Sequence, residues 1–190
     1  SKYMLSATLK GLVIHTAKST GTKIGPDYQF GWGLLDVAAA SELLLKLDDN
    51  NRIIESSITS SMDEVVHLIQ ADSGDLITST LSWTDLPGST INSDTLNPTD
   101  LRLVNDLDTR LYFNGSEVAF PYVMNPESKS QSTGDNFRDN VEKIHFTAVE
   151  SGTYELKISH KGLANDQDQT YSLTISSENS ESNVNTMTLS

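Results

Sequence analysis

The chain has 190 residues, with 13 Lys and Arg against 26 Asp and Glu, for a net charge of −13. That carboxylate excess argues against nucleic acid and against anionic membrane surfaces, both of which select Lys and Arg. There is no cysteine, which excludes disulfides, a thiolate nucleophile and thiolate metal ligands, and no apolar run approaches the ~18 residues of a membrane span.

Residues 1–50 differ from the rest. Leu5, Leu9, Leu12, Val13 and Thr16 recur at helical spacing and predict an amphipathic helix over about 4–18. A loop punctuated by Gly21, Gly25 and Pro26 follows, then Gly31-Trp32-Gly33, where two glycines let backbone pack around the indole. Asp36 is a candidate N-cap for a second helix over 37–47. That helix is apolar almost all round (Val37, Ala38, Ala39, Ala40, Leu43, Leu44, Leu45, Leu47), so it is expected to be buried against a larger body than the first helix supplies. The opening Ser-Lys-Tyr-Met-Leu has none of the marks of a signal peptide, and the chain reads as a fragment of a longer precursor.

Asp48-Asp-Asn-Asn-Arg52 is a polar break and the expected domain boundary. Beyond it the pattern is β. Strands are predicted over 62–70, 76–83, 101–113, 117–122, 140–148, 152–160 and 169–176. A turn-rich loop with Pro87, Gly88 and Pro98 precedes the third of them. Asn114-Gly115 marks a two-residue hairpin turn after it, and 125–138 reads as a long polar loop. Short strands between frequent turns imply a mainly β protein, an antiparallel β-sandwich or jelly roll over 51–178 preceded by two α-helices. Residues 179–190 read as a polar tail or linker.

The alternation over 101–113 places Leu101, Leu103, Asn105, Leu107, Thr109 and Leu111 on one face, and Arg102, Val104, Asp106, Asp108, Arg110 and Tyr112 on the other. Asp and Asn are poor strand residues and need a reason to be there. Asp85, Asn105, Asp106, Asp108, Asp139 and Asn140 are candidate oxygen ligands for Ca2+, which takes six to eight oxygens. The competing reading is that they hold turns through side-chain-to-backbone bonds, or that Arg102 or Arg138 pairs with them. His15, His67, His145 and His160 show no zinc-ligand spacing. Trp32 and Trp83 read as buried anchors rather than ligand platforms.

Two ordered segments carry a family likeness. Leu9-Lys-Gly-Leu-Val-Ile-His-Thr-Ala, followed by Gly25-Pro-Asp-Tyr-Gln-Phe-Gly-Trp-Gly-Leu-Leu-Asp-Val-Ala-Ala-Ala, resembles the end of the catalytic domain of subtilisin-like serine proteases (subtilases). Thr80-Leu-Ser-Trp-Thr-Asp-Leu-Pro-Gly, Leu103-Val-Asn-Asp-Leu-Asp, Asp139-Asn-Val-Glu and Gly152-Thr-Tyr-Glu-Leu-Lys-Ile-Ser-His-Lys-Gly resemble the β jelly-roll domain that follows it in some secreted bacterial subtilases. That domain is similar in role to the P-domain of proprotein convertases.

The resemblance implies a secreted, bacterial serine endopeptidase as the parent, acting on protein or peptide substrates. Residues 1–50 would then be the helical remnant of the catalytic domain, and the rest of that domain their partner. The family's nucleophile sits in a Gly-Thr-Ser motif, which this sequence lacks. A nucleophile without a positioned base is inert, so this chain is expected to be inactive by itself. The β-domain would stabilise the catalytic domain and shape substrate access. The alternative is a carbohydrate- or protein-binding β-sandwich module.

If the oxygen-rich residues hold Ca2+, occupancy a hundredfold above Kd adds ~2.7 kcal/mol. Thermal unfolding in calcium should then run several degrees above that in excess chelator. Coincident midpoints would assign these residues to turns and ion pairs.

Overall fold

The computed structural model describes residues 3–20, 24–48, 51–62, 64–90, 96 and 98–179. Both predicted helices form, as α1 (Ser6–Thr16) and α2 (Val37–Leu45). The Asp36 carboxylate caps α2, accepting from the Ala39 N–H at 2.9 Å. It also takes the Lys18 ammonium at 2.6 Å. Lys18 and Leu34 exchange backbone hydrogen bonds of 2.9 and 2.8 Å, which ties the end of α1 to the start of α2. Gly33 is required there: its φ is 108°, and a Cβ would lie 2.2 Å from the Lys18 carbonyl oxygen.

Beyond the helices the described residues are mainly strand and turn, with one 3-10 turn at Ala164–Asp166. The strands are β1 (Arg52–Ile58), β2 (Glu64–Ala71), β3 (Asp75–Trp83), β4 (Leu107–Phe113), β5 (Ser116–Ala119), β6 (Tyr122–Asn125), β7 (Ser130–Thr133), β8 (Val141–Thr147), β9 (Gly152–His160) and β10 (Gln169–Asn179). Two four-stranded sheets result, ordered β1-β10-β3-β8 and β2-β9-β4-β5, with β6-β7 as a separate hairpin. All pairings are antiparallel, and β1·β10, β2·β9, β3·β8 and β4·β5 nest inside one another. This is the winding of a jelly roll, a long hairpin folded over itself into two sheets. The fold is therefore a mainly β antiparallel sandwich preceded by two helices, as the pattern implied.

Alternation explains the core. Ile77, Leu81 and Trp83 of β3, Leu107 and Leu111 of β4, Ile144 of β8, Tyr154, Leu156 and Ile158 of β9, and Tyr171, Leu173 and Ile175 of β10 are almost fully enclosed between the sheets. Each such side chain contributes about 1.5–3 kcal/mol of burial. The expected Asn114-Gly115 hairpin turn is present, with φ of 50° and 76°. Trp83 is buried and donates Nε1–H to the Asn105 carbonyl at 3.0 Å.

Several boundaries differ from the sequence expectation. The strand expected from Leu101 begins at Leu107, because the Asp85 carboxylate captures the N–H groups of Val104 and Asn105 and holds them out of a ladder. The expected polar loop 125–138 contains β7 and the end of β6, paired as a short hairpin. Strand β1 went unpredicted because Ile53-Ile54 breaks the alternation, yet it pairs with β10 along its whole length. The tail expected over 179–190 lies outside the described residues apart from Asn179, which ends β10.

The outer face of the β1-β10-β3-β8 sheet is polar and buried. Thr78, Thr80 and Ser82 of β3 and Ser172 and Thr174 of β10 are covered by α1. The small hydroxyls allow close approach. Ser82 donates to the Ala7 carbonyl at 2.8 Å, and a Cβ on Gly11 would lie 2.5 Å from the Ser82 hydroxyl. His15 sits between Thr80 and Ser176, with ring nitrogens 3.0 and 2.9 Å from their hydroxyls.

The sandwich also caps both ends of this helix. Leu5 at the N-cap position has no side chain able to cap. Glu55 of β1 supplies a carboxylate instead, accepting from the Leu5 N–H at 2.8 Å and from the Thr8 hydroxyl at 2.5 Å. At the other end Lys143 of β8 donates to the Ile14 and His15 carbonyls at 2.8 and 2.9 Å. The boundary expected near residue 50 is thus not a packing boundary for α1. Negative charge at the N-terminus and positive charge at the C-terminus both complement the helix dipole.

Glu55→Gln and Lys143→Met should each destabilise the chain by about 1–2 kcal/mol in denaturant unfolding, the range for a lost cap or charge–dipole contact. An unchanged midpoint in both variants would mean that α1 is not held by its ends.

Candidate functional site

The six residues expected to ligate a cation fall into separate places, because each is claimed by a different loop or cation. Asp85, just after β3, accepts backbone N–H bonds from Leu86, Val104 and Asn105 at 2.8, 2.6 and 2.9 Å. Asn105 is buried. Its Oδ1 accepts from the Ala164 N–H at 2.8 Å, and its Nδ2 donates to Gln169 Oε1 at 2.7 Å. These two residues therefore pin three loops at one end of the sandwich. Asn140 donates to the Trp83 carbonyl at 2.8 Å and receives the Lys10 ammonium on its side-chain and main-chain oxygens. Asp139 is exposed beside it.

Asp106 and Asp108 do share a face, as the alternation required, and the loop before β8 adds Asp135. At their centre is the Lys161 ammonium, 2.9 Å from Asp106, 3.1 Å from Asp108 and 2.5 Å from Asp135. Arg110 closes the group, 3.0 Å from Asp108 and 3.4 Å from Asp135. The pairing expected from Arg102 or Arg138 is replaced by Arg110 and Lys161. Arg102 and Arg138 instead donate to the carbonyls of Ser89 and Thr99, across the loop that flanks β3. Among the described residues no three His, Asp or Glu side chains are placed together as a metal site. An ammonium already stands where the carboxylates converge.

Beneath this group lies Glu142, fully enclosed and facing the core from β8. Strand β5 pairs only with Leu111–Phe113, leaving the first half of β4 without a neighbour on that edge. Glu142 fills the gap by accepting from the Thr109 N–H at 2.5 Å, while its Oε1 has no partner. The Arg110 guanidinium stands 4.0 Å away. Burial, and then the nearby Asp108 charge, push the Glu142 carboxyl well above the usual carboxylate range. Burial likewise raises Asp108, against the pull of Lys161 and Arg110. Burial disfavours the Lys161 charge, but hydrogen bonds to Asp135, Asp106 and Asp108 outweigh it and raise its pKa. The cluster is thus a charge-compensated network rather than an open acid–base pair.

A second arrangement has the outline of nucleophilic chemistry. Ser176 lies 2.9 Å from His15 at the base of a crevice of about 220 Å³ between α1, α2 and the sheet. Behind the imidazole is the Thr80 hydroxyl rather than a carboxylate. Burial, with Lys143 and His145 nearby, holds His15 well below its usual pKa. An imidazole so disfavoured as a cation is a poor acceptor of a hydroxyl proton. His15 therefore acts here as a helix-to-sheet fastener. His67 and His160 lie in β2 and β9, and His145 of β8 has its Nδ1 3.4 Å from the Tyr122 hydroxyl.

The apolar surface of residues 3–47 is the largest feature that sequence reasoning anticipated. In α2 only Leu43 is buried. Val37 and Leu45 are 63% and 86% exposed, and Leu34, Leu35, Leu44 and Leu47 are also open to solvent. On α1, Leu9 is exposed on the side away from the sheet. Among the described residues no helix is long and apolar enough to cross a membrane.

No family model matches the chain, and no curated protein matches it either. Among solved structures, the chain is similar to PliG of Aeromonas hydrophila, a periplasmic inhibitor of g-type lysozyme. Identity is 12%, the match covers 68% of this chain and 87% of that one, and the TM-score is 0.39. It is also similar to PliG of Salmonella Typhimurium, at 15% identity, with 70% and 94% covered and a TM-score of 0.37. These likenesses are too distant to identify a shared function.

The raised Glu142 has a defined consequence for stability. A carboxyl whose folded pKa exceeds its unfolded value binds more protons when folded, so stability falls as pH rises above 4.5. Glu142→Gln keeps an acceptor for the Thr109 N–H and abolishes the charge. Unfolding followed from pH 4.5 to 8 should show a flatter decline in this variant, with equal or greater stability at pH 8. A variant clearly less stable at pH 8 would mean that the ionised carboxylate is required.

Proposed function

We propose that this chain is the C-terminal part of a secreted, subtilisin-like serine endopeptidase, its jelly roll being an accessory domain that stabilises the catalytic body. The observation that carries this reading is the two-sided construction of the helical segment. One side of α1 is fastened to the sandwich by Glu55, Ser82, Thr80 and Lys143. The apolar side chains of α2 and of the turn before it, with Leu9 of α1, face outward. Burial of those side chains against a catalytic body, at about 25 cal/mol per Å², supplies a stabilising interface between body and accessory domain.

In this reading the sandwich acts by position. It holds α1 from one side while the protease body holds the outward face, so unfolding of either exposes apolar surface of the other. The chain by itself has no nucleophilic Gly-Thr-Ser segment; proteolysis belongs to the parent. Calcium enters as part of the proposal: of the six expected oxygen ligands, Asp106 and Asp108 share one face, where the Lys161 ammonium stands between them.

Two measurements test the reading. The coding sequence preceding residue 1 should encode a Gly-Thr-Ser nucleophile segment with an Asp and a His further upstream. In the secreted fraction of the source cells, a protein labelled by a serine-directed fluorophosphonate should yield peptides covering 101–113. The isolated chain should take no label. A reading frame that starts just before residue 1, or label on the isolated chain, would overturn the assignment.

A further inference from the structure

We propose that the groove between the Tyr28 loop, the 98–102 segment and the β6–β7 hairpin binds an extended peptide bearing acidic side chains. The groove encloses about 560 Å³, within the range of ligand sites. An adjoining cleft of about 380 Å³ continues past Arg102 and Arg138 toward Thr84 and Asn140. The two share Arg102, Arg138 and Asp139 in their linings, so they meet as one extended cleft.

The charge of the lining is the argument. In a chain of net charge −13, Arg102, Lys129 and Arg138 all face this groove. Arg110, Lys157 and Lys161 elsewhere are taken up in ion pairs. Among the described residues, Arg102 and Arg138 have none. Each donates one Nη1 to a main-chain carbonyl, of Ser89 and of Thr99. That bond anchors the guanidinium and leaves most of its five N–H donors free. An anchored guanidinium with open donors is pre-organised for bidentate carboxylate binding.

Asp100 and Asp139 also line the groove, and Asp85, its oxygens already bonded to loop N–H groups, lines the adjoining cleft, so the charge is locally mixed. It would select carboxylates spaced to meet the arginines rather than any polyanion. Tyr28, Leu101 and Met124 supply apolar contacts between those charges. A peptide alternating acidic and apolar side chains satisfies both. A sugar would need an aromatic platform, and Tyr28 is the single ring among the described lining residues. This inference stands independently of the protease reading, because every residue it uses is on the chain itself.

The test is fluorescence anisotropy of a fluorescein-labelled decapeptide alternating Glu and Leu, titrated with the full chain. The same peptide with Lys for Glu, and labelled cello- and chito-oligosaccharides, serve as comparisons. The acidic peptide should bind about tenfold or more tighter than the Lys peptide, and Arg102→Gln/Arg138→Gln should lose about tenfold in affinity. Because those arginines brace a loop, Lys129→Glu is the second variant. It lies on an exposed turn and should weaken binding several-fold with an unchanged thermal midpoint. No binding of the acidic peptide up to millimolar chain, equal binding of the Lys peptide, tighter binding of an oligosaccharide, or unchanged affinity in Lys129→Glu would each overturn the proposal.

Discussion

The architecture depends on one constraint: a sheet face made of small hydroxyls has to be covered by something that can approach it closely and bond to part of it. Thr78, Thr80, Ser82, Ser172 and Thr174 form that face, and α1 covers it. Ala7 and Gly11 bring the helix backbone down onto Ser82. A helix of 11 residues is marginal without tertiary help. The help comes as charge, with Glu55 at the positive end and Lys143 at the negative end. Lys143 is itself buried, and desolvation lowers its pKa to about 8. Its ammonium is tolerated because two helix carbonyls take the place of water.

The same logic recurs at the opposite sheet with the signs reversed. There the buried groups are carboxylates, and Lys161 and Arg110 supply the compensating charge. Glu142 is the exception that reveals the geometry. It lies inside because β5 is too short to cover the edge of β4, and a carboxyl is the side chain that can reach across and accept the Thr109 N–H. Burial pushes its carboxyl well above the usual carboxylate range, and the nearest cation, Arg110, stands 4.0 Å away. Helix and carboxylate cluster thus represent two answers to one problem, polar groups held away from water by packing.

Functionally the fold is organised around faces. The interior is mainly apolar, with Glu142 as its buried acid. The helical segment turns an apolar band outward, and the groove beside Arg102 and Arg138 turns guanidinium donors outward. An apolar band suits a permanent partner, since its burial is driven by area. A charged groove suits a transient one, since carboxylate contacts form and release in water.

How much of this was legible in the sequence follows from range. Local periodicity identified α1, α2 and seven of the strands. The Asn114-Gly115 turn and the Asp36 cap were equally readable, because backbone geometry and nearest neighbours decide them. The outward apolar band was also legible, since Val37 to Leu47 is apolar almost all round, with Ser41, Glu42 and Lys46 its few polar side chains. Strand β1 and the β6–β7 hairpin were not, because their stability comes from pairing rather than alternation. The acidic cluster was half legible. Period two put Asp106, Asp108 and Arg110 on one face, but Lys161 was brought in by the turn after β9 and Asp135 by the loop before β8. Asp85 and Asn105 read in one dimension either as ligands or as turn holders, and only the fold shows the loop N–H groups that they accept. Nothing in the chain order announces that Glu55 and Lys143 cap a helix more than 45 and 125 residues away. Sequence alone determined the class of each segment and the surplus of apolar surface at the front of the chain. Tertiary structure decided which charges meet, because that depends on the winding of the sheets and not on spacing along the backbone.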